Sequence, residues 1–245
     1  GCENILRKFS HNVAMSKFAQ KQAKEVHGLD TLYIPHGVNT NLFKPLSEEE
    51  RFNLKRKYGL LGKTVIGSVF RNQGRKMSDR YFDAFALAAK ELPNAVFFLH
   101  TDPTDPAAYF DSFRKIQELK LQNRVVFTGT KYYNGFTYRE MNDVYNAMDM
   151  FYLGTSGEGF GIPIVEAMSC GVPCLVTDYT TTQELVIDNK AGEGIKMDAE
   201  ILGSWHVKRG VVDIQDSADK IVKLAKDENL RKEYGNNGRK AVLKD

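Results

Sequence analysis

The sequence predicts an α/β fold, a Rossmann-like parallel sheet flanked by helices. Three observations carry that reading. Short apolar runs alternate with segments of three-to-four-residue apolar spacing. The runs are almost continuously apolar, as strands buried on both faces are. The 245 residues are 42% apolar and 27% charged, an ordinary globular composition with enough chain to bury a full core.

In order, residues 64–70, 95–100, 124–129, 149–154 and 172–178 read as strands. Residues 79–92, 107–120 and 138–148 read as the helices between them, and this βαβα order implies parallel pairing with both faces covered. Residues 215–230 and 231–243 read as two amphipathic helices closing the domain. Residues 199–212, with the single tryptophan Trp205, read as an irregular surface loop. Towards the start, residues 12–16 read as a strand, Ser16 as an N-cap and residues 17–28 as a helix. Pro35 and Gly37 punctuate the next stretch. A lone strand–helix pair has little to pack on, so residues 1–28 are expected to be the remnant of an N-terminal domain and residues 29–245 the domain proper. The chain starts at Gly1 and is expected to be an excerpt of something longer.

A net charge of +3 argues for no nucleic-acid partner and gives no sign of a membrane surface. Apolar runs stay short of the roughly 18 residues that span a bilayer. Cys2, Cys170 and Cys174 are too few for a disulfide framework, which suggests a reducing, cytoplasmic setting. Cys170 and Cys174 read as small buried apolar residues. His11, His27, His36, His100 and His206 lack ligand spacing and read as structural or surface residues. No D-x-D occurs, and no metal or cofactor is expected.

Chemistry concentrates in two loops. After the strand at 149–154, Gly157, Gly159 and Gly161 permit a tight turn, and Pro163 suits the first turn of a helix over 163–170. A helix start beyond a parallel strand attracts phosphate. Glu158 precedes the turn and Glu166 follows it. Separately, they read as a solvated loop acid and a dipole-stabilising helix acid. Together with the turn they suit a sugar nucleotide, a diphosphate flanked by two sets of hydroxyls. Arg71 and Lys76, five apart after the first strand, read either as a solvated basic loop or as a diphosphate clamp, with Arg75 and Arg80 adding charge.

"EGFGIPIVEAMSCGVP", Arg71 and Lys76 in R-x4-K spacing, "PHGVNTNLFKP" and "NNGRK" together resemble the C-terminal half of retaining glycosyltransferases of the two-domain GT-B fold, family 4-like, with their E-x7-E motif. The resemblance runs from about Asn12 to the end. It implies a metal-independent hexosyltransferase using a nucleotide-diphosphate sugar, with a glycan, lipid or small-molecule acceptor. It places the diphosphate on Arg71 and Lys76, and the sugar on Glu158 with the N–H groups of Gly159, Phe160 and Gly161. The phosphates meet the backbone at Ile162, ribose hydroxyls bind Glu166, and the nucleobase docks near Thr130 and Lys131. Arg71, Lys76 and Glu158 are then the catalytic set. The acceptor side belongs to the protein's own N-terminal domain, so the fragment alone is expected to be inactive. Competing readings are a nucleotide-sugar-binding module without catalysis, a sugar-nucleotide epimerase, and a nicotinamide-dependent dehydrogenase. The last would need a G-x-G-x-x-G after the first strand, which is missing.

Overall fold

The structure is a computed structural model that describes residues 7–129 and 135–244. Cys2, Thr130 and Lys131 lie outside the described residues. Six parallel strands form the central sheet in the order β5-β4-β3-β6-β7-β8. They are β3 (Thr64–Val69), β4 (Ala95–His100), β5 (Val125–Phe127), β6 (Met150–Leu153), β7 (Cys174–Thr177) and β8 (Gly192–Ile195). Ile66 of β3 pairs with Phe97 on one side and Met150 on the other. The strand order therefore reverses between β3 and β6, and their carboxyl ends open a crevice there.

The right-handed crossovers of parallel strands distribute the helices over both faces. Helices α3 (Ser78–Ala88) and α4 (Ser112–Glu118) connect strands in one direction. Helices α5 (Tyr138–Asn146) and α6 (Ile162–Ser169) connect strands in the other. Helix α7 (Ile214–Lys226) packs on α3, and α8 (Glu228–Lys244) packs on α6. Phe97, Phe98, Phe151, Tyr152, Ile66 and Leu175 are fully buried between these layers. Burying one such side chain stabilises the fold by roughly 1.5–3 kcal/mol. Cys170 and Cys174 are buried free thiols in the same core, and burial raises the pKa of both.

Besides β8, which the sequence reading did not include, two regions differ from it. Residues 199–212 are not an irregular loop: β9 (Met197–Leu202) and β10 (Lys208–Val212) form an antiparallel hairpin. All six β9 residues are exposed, so the strand has no apolar alternation by which the sequence could announce it. A charged helix, α2 (Glu48–Lys57), also precedes β3. It holds the amino end of the sheet through Lys55 and Arg51, which reach Asp149 at 2.8 and 3.4 Å.

Ahead of these, β1 (Val13–Ala14) pairs in parallel with β2 (Leu32–Tyr33) around α1 (Lys17–His27). The Ser16 hydroxyl caps α1, and Gly28 ends it in a left-handed conformation. This unit touches the main domain where Lys17 N–H donates to the Glu184 carboxylate at 2.9 Å and where Phe18 meets Tyr179. Among the described residues, no helix is long and apolar enough to cross a membrane.

Candidate functional site: a cleft at the β3–β6 switch

The chain leaves β3 through Phe70 and passes Arg71 to Lys76 before entering α3. It leaves β6 through Gly154 and turns at Glu158 to Gly161 before entering α6. Because β3 and β6 are neighbours, the two loops meet. The Arg75 carbonyl accepts from Ser156 N–H at 3.1 Å and from the Ser156 hydroxyl at 2.6 Å. Together the loops enclose a cleft of about 590 Å³. Arg71, Lys76, Glu158, Gly159, Phe160, Gly161 and Ile162 all line it.

The charges in the cleft are already paired. Lys76 Nζ donates to Glu158 Oε1 at 2.5 Å, with both side chains 7% exposed. Burial pulls the Lys76 pKa down, and the Glu158 carboxylate opposes that shift. Arg75 adds a contact to Glu158 at 3.2 Å from a more exposed position. Arg71 Nε donates to Asp105 at 2.8 Å, and this bond holds the Asp105 carboxyl below its usual range. The expectation of a solvated basic loop thus fails for Lys76, which is buried.

On either side of Glu158 the backbone turns through Gly157 (φ 143°) and Gly161 (φ 104°). A Cβ at Gly161 would come within 2.8 Å of Ile164 Cδ1. Gly161 is the N-cap of α6, with no side-chain capping bond and with proline in the first turn. Among the described residues, the N–H groups of Gly159, Phe160, Gly161 and Ile162 meet no acceptor. Amides without a protein acceptor at a helix start and in the turn just before it favour an anion.

Glu166 sits deeper. It is four residues beyond Ile162 and three beyond Pro163, on the helix face that walls the cleft, but it is not itself a lining residue. The Tyr145 hydroxyl donates to Glu166 Oε2 at 2.6 Å, and burial raises the Glu166 pKa.

The sequence reading missed several lining residues. His100 ends β4 and Thr101, Asp102 and Asp105 follow it, while Met15 and His36 come from the β1–α1–β2 side. The His36 ring meets Phe160 edge-on at 5.2 Å. Burial lowers the His100 pKa to about 4, so the ring is neutral near pH 7. The available signal was positional: residues that directly follow a parallel strand lie at the ligand end of the sheet. Among the described residues, no cluster of His, Cys, Asp and Glu could hold a metal ion.

Comparison with known proteins places this architecture. Sucrose-phosphate synthase from Thermosynechococcus elongatus superposes with a TM-score of 0.79 at 22% identity, over 99% of this chain and 55% of that one. Anabaena Alr3699/HepE, solved in complex with UDP and glucose, superposes with a TM-score of 0.77 at 22% identity, over 98% of this chain and 60% of that one. The fold is that of the C-terminal domain of GT-B glycosyltransferases.

The family model for glycosyl transferases group 1 matches residues 50–241, and the chain belongs to that family. Mannosylfructose-phosphate synthase of Agrobacterium fabrum is 29% identical over 151 residues, 59% of this chain and 32% of that protein. The chain thus spans about a third of this relative and little more than half of the two structures.

Proposed function

We propose that this chain is the donor-binding half of a retaining, metal-independent glycosyltransferase. It transfers a sugar from a nucleotide-diphosphate sugar to an acceptor hydroxyl on a glycan, lipid or small molecule. The observation that carries this reading is the convergence of Lys76, Arg75, Arg71 and the turn Gly159–Ile162 on one cleft, with Glu158 among them.

The resting pairing suggests how the donor enters. Diphosphate oxygens take over the Lys76 and Arg75 donors. Glu158 is then released to accept hydrogen bonds from the sugar hydroxyls, beside Gly159, Phe160 and Gly161. Arg71, held against Asp105, completes the clamp, and Ile162 N–H meets the phosphates at the helix start. Glu166 keeps Oε2 on Tyr145 and offers Oε1 to the ribose. Thr130 and Lys131 are assigned to the nucleobase by resemblance. The bond between the anomeric carbon and the diphosphate oxygen breaks, and the acceptor oxygen adds to the same face of the sugar as its hydroxyl proton passes to the departing diphosphate oxygen. Cations and amides stabilise the charge growing on the leaving phosphate, the position where such groups lower a barrier most.

Residues 1–28 are read as the margin of an N-terminal domain that supplies the acceptor side, so the fragment binds donor and turns over little alone. A cytoplasmic setting accords with this donor class. Calorimetry of the chain with UDP, GDP and ADP tests the reading. Saturable heat with at least one is expected, and no heat with any of them would overturn it.

A further inference from the structure

The loop that carries Glu158 is gripped from behind. The turn after β7 reads Thr180-Thr181-Thr182, and Thr181 and Thr182 are fully buried. Thr180 has a φ of 61°, a left-handed conformation that β-branched residues rarely adopt. Its hydroxyl donates to the Tyr179 carbonyl at 2.6 Å and accepts from Glu158 N–H at 3.2 Å. The Thr181 hydroxyl lies 2.9 Å from the Phe160 carbonyl and 3.3 Å from the Glu158 carbonyl. It has one proton, shared between two acceptors, with the Phe160 bond the shorter.

A trans peptide sets each C=O and the following N–H on opposite sides, and the described chain has no cis bond. Fixing the Glu158 and Phe160 carbonyls on the threonine side therefore turns the N–H groups of Gly159 and Gly161 away from it. Gly159, Phe160 and Gly161 line the cleft, and Thr181 does not. The two N–H groups thus face the space where an anion would sit. Glycines impose no such direction themselves, because they have the widest conformational freedom of any residue.

We infer that Thr181 is a positioning residue, whose buried hydroxyl aims the Gly159 and Gly161 N–H groups into the cleft. The inference deepens the donor-binding reading and rests on it for the identity of the anion. Thr180 supports the same geometry from the Glu158 end.

The test compares Thr181→Val, which removes the hydroxyl at nearly constant volume, with Thr181→Ser, which keeps it. Each is titrated with the nucleoside diphosphate that the parent chain binds best and with the corresponding nucleoside. Thr181→Val is expected to weaken the diphosphate about tenfold and the nucleoside less than twofold, and Thr181→Ser to restore the parent values. Equal loss for both ligands, or no recovery with serine, overturns the inference. NMR relaxation of the ligand-free proteins decides the matter separately, including in the case where the parent chain binds no nucleotide. The Gly159 and Gly161 amides are expected to be rigid in the parent and Thr181→Ser, with order parameters near about 0.85, and to drop below about 0.6 in Thr181→Val. Unchanged order parameters in Thr181→Val overturn it. Should Thr181→Val fail to fold, Thr180→Ala, which removes the hydroxyl that accepts from Glu158 N–H and donates to the Tyr179 carbonyl, is expected to weaken the diphosphate by a smaller factor. No weakening would overturn the inference.

Discussion

Lys76 and Glu158, 82 residues apart in the chain, meet at 2.5 Å in the wall of the cleft, each nearly closed off from solvent. Their pairing makes the floor of the site an ion pair that a ligand must exchange rather than a set of cations waiting in water.

Removing one partner should therefore be costly. In Lys76→Met, Glu158 keeps only the longer, more exposed contact with Arg75. Unpairing a buried charge costs about 3–5 kcal/mol. The unfolding free energy measured in denaturant should fall by roughly 3 kcal/mol, and adding Glu158→Leu should recover part of that loss. The double variant should still fail to bind nucleoside diphosphate.

The Glu166→Gln variant keeps a carbonyl oxygen for the Tyr145 hydroxyl, so its melting temperature should barely move. Replacing a charged acceptor with a neutral one costs about 1.5 kcal/mol in a ribose contact, about tenfold in affinity. Nucleoside and nucleoside diphosphate should weaken together in a titration. Full retention of both affinities would remove Glu166 from the ribose.

His100 predicts a pH dependence. Its pKa is about 4 in the fold against 6.5 when unperturbed. Between these values the unfolded chain takes up a proton that the folded chain refuses. The contribution is fully present above pH 6.5 and is lost as pH falls towards 4. Between pH 7 and pH 4 the parent should lose about 3 kcal/mol more stability than His100→Gln. Denaturant midpoints across that range measure the difference.

Gly235→Ala should also destabilise the chain, far from the cleft. A Cβ there would lie 2.1 Å from the Gly171 carbonyl oxygen, a backbone atom that cannot step aside. One turn further along α8, Arg239 donates to the Phe43 and Ser169 carbonyls, so the helix cannot shift without breaking those bonds. Overpacking of this kind costs about 1–3 kcal/mol, and the melting temperature should drop by about 2–10 °C.

Much of this architecture is legible in the sequence because β3, β4, β6 and β7 are buried on both faces and must be apolar throughout. Helix α2 was harder to read, since Leu54 is its one buried residue and no apolar stripe exists. Its signal was local: the reciprocal cap between Ser47 and Glu50, acids in the first turn and bases in the last. Strand β8 contains Gly192 and Gly194, which weaken any strand pattern. A Cβ at Gly192 would strike the Cys174 carbonyl oxygen at 1.6 Å, so the packing demands the residue that hides the strand. In the site, Arg71, Lys76 and Glu158 were legible because each follows a strand at the switch point. The partners of Lys76 and Arg71 were not, because side-chain direction and strand order choose between Glu158, Asp105 and solvent. His100 and Asp102 entered the cleft only once β4 was known to adjoin β3.

The strand order also sets a schedule for synthesis. Ile66 finds Phe97 soon after it is made but waits for Met150 on its other side. At about 5–20 residues added per second, Glu158 leaves the ribosome about 4–16 s after Lys76. Through that interval the nascent ammonium lacks its native carboxylate, and one edge of the central strand stays open to whatever chain or chaperone is near.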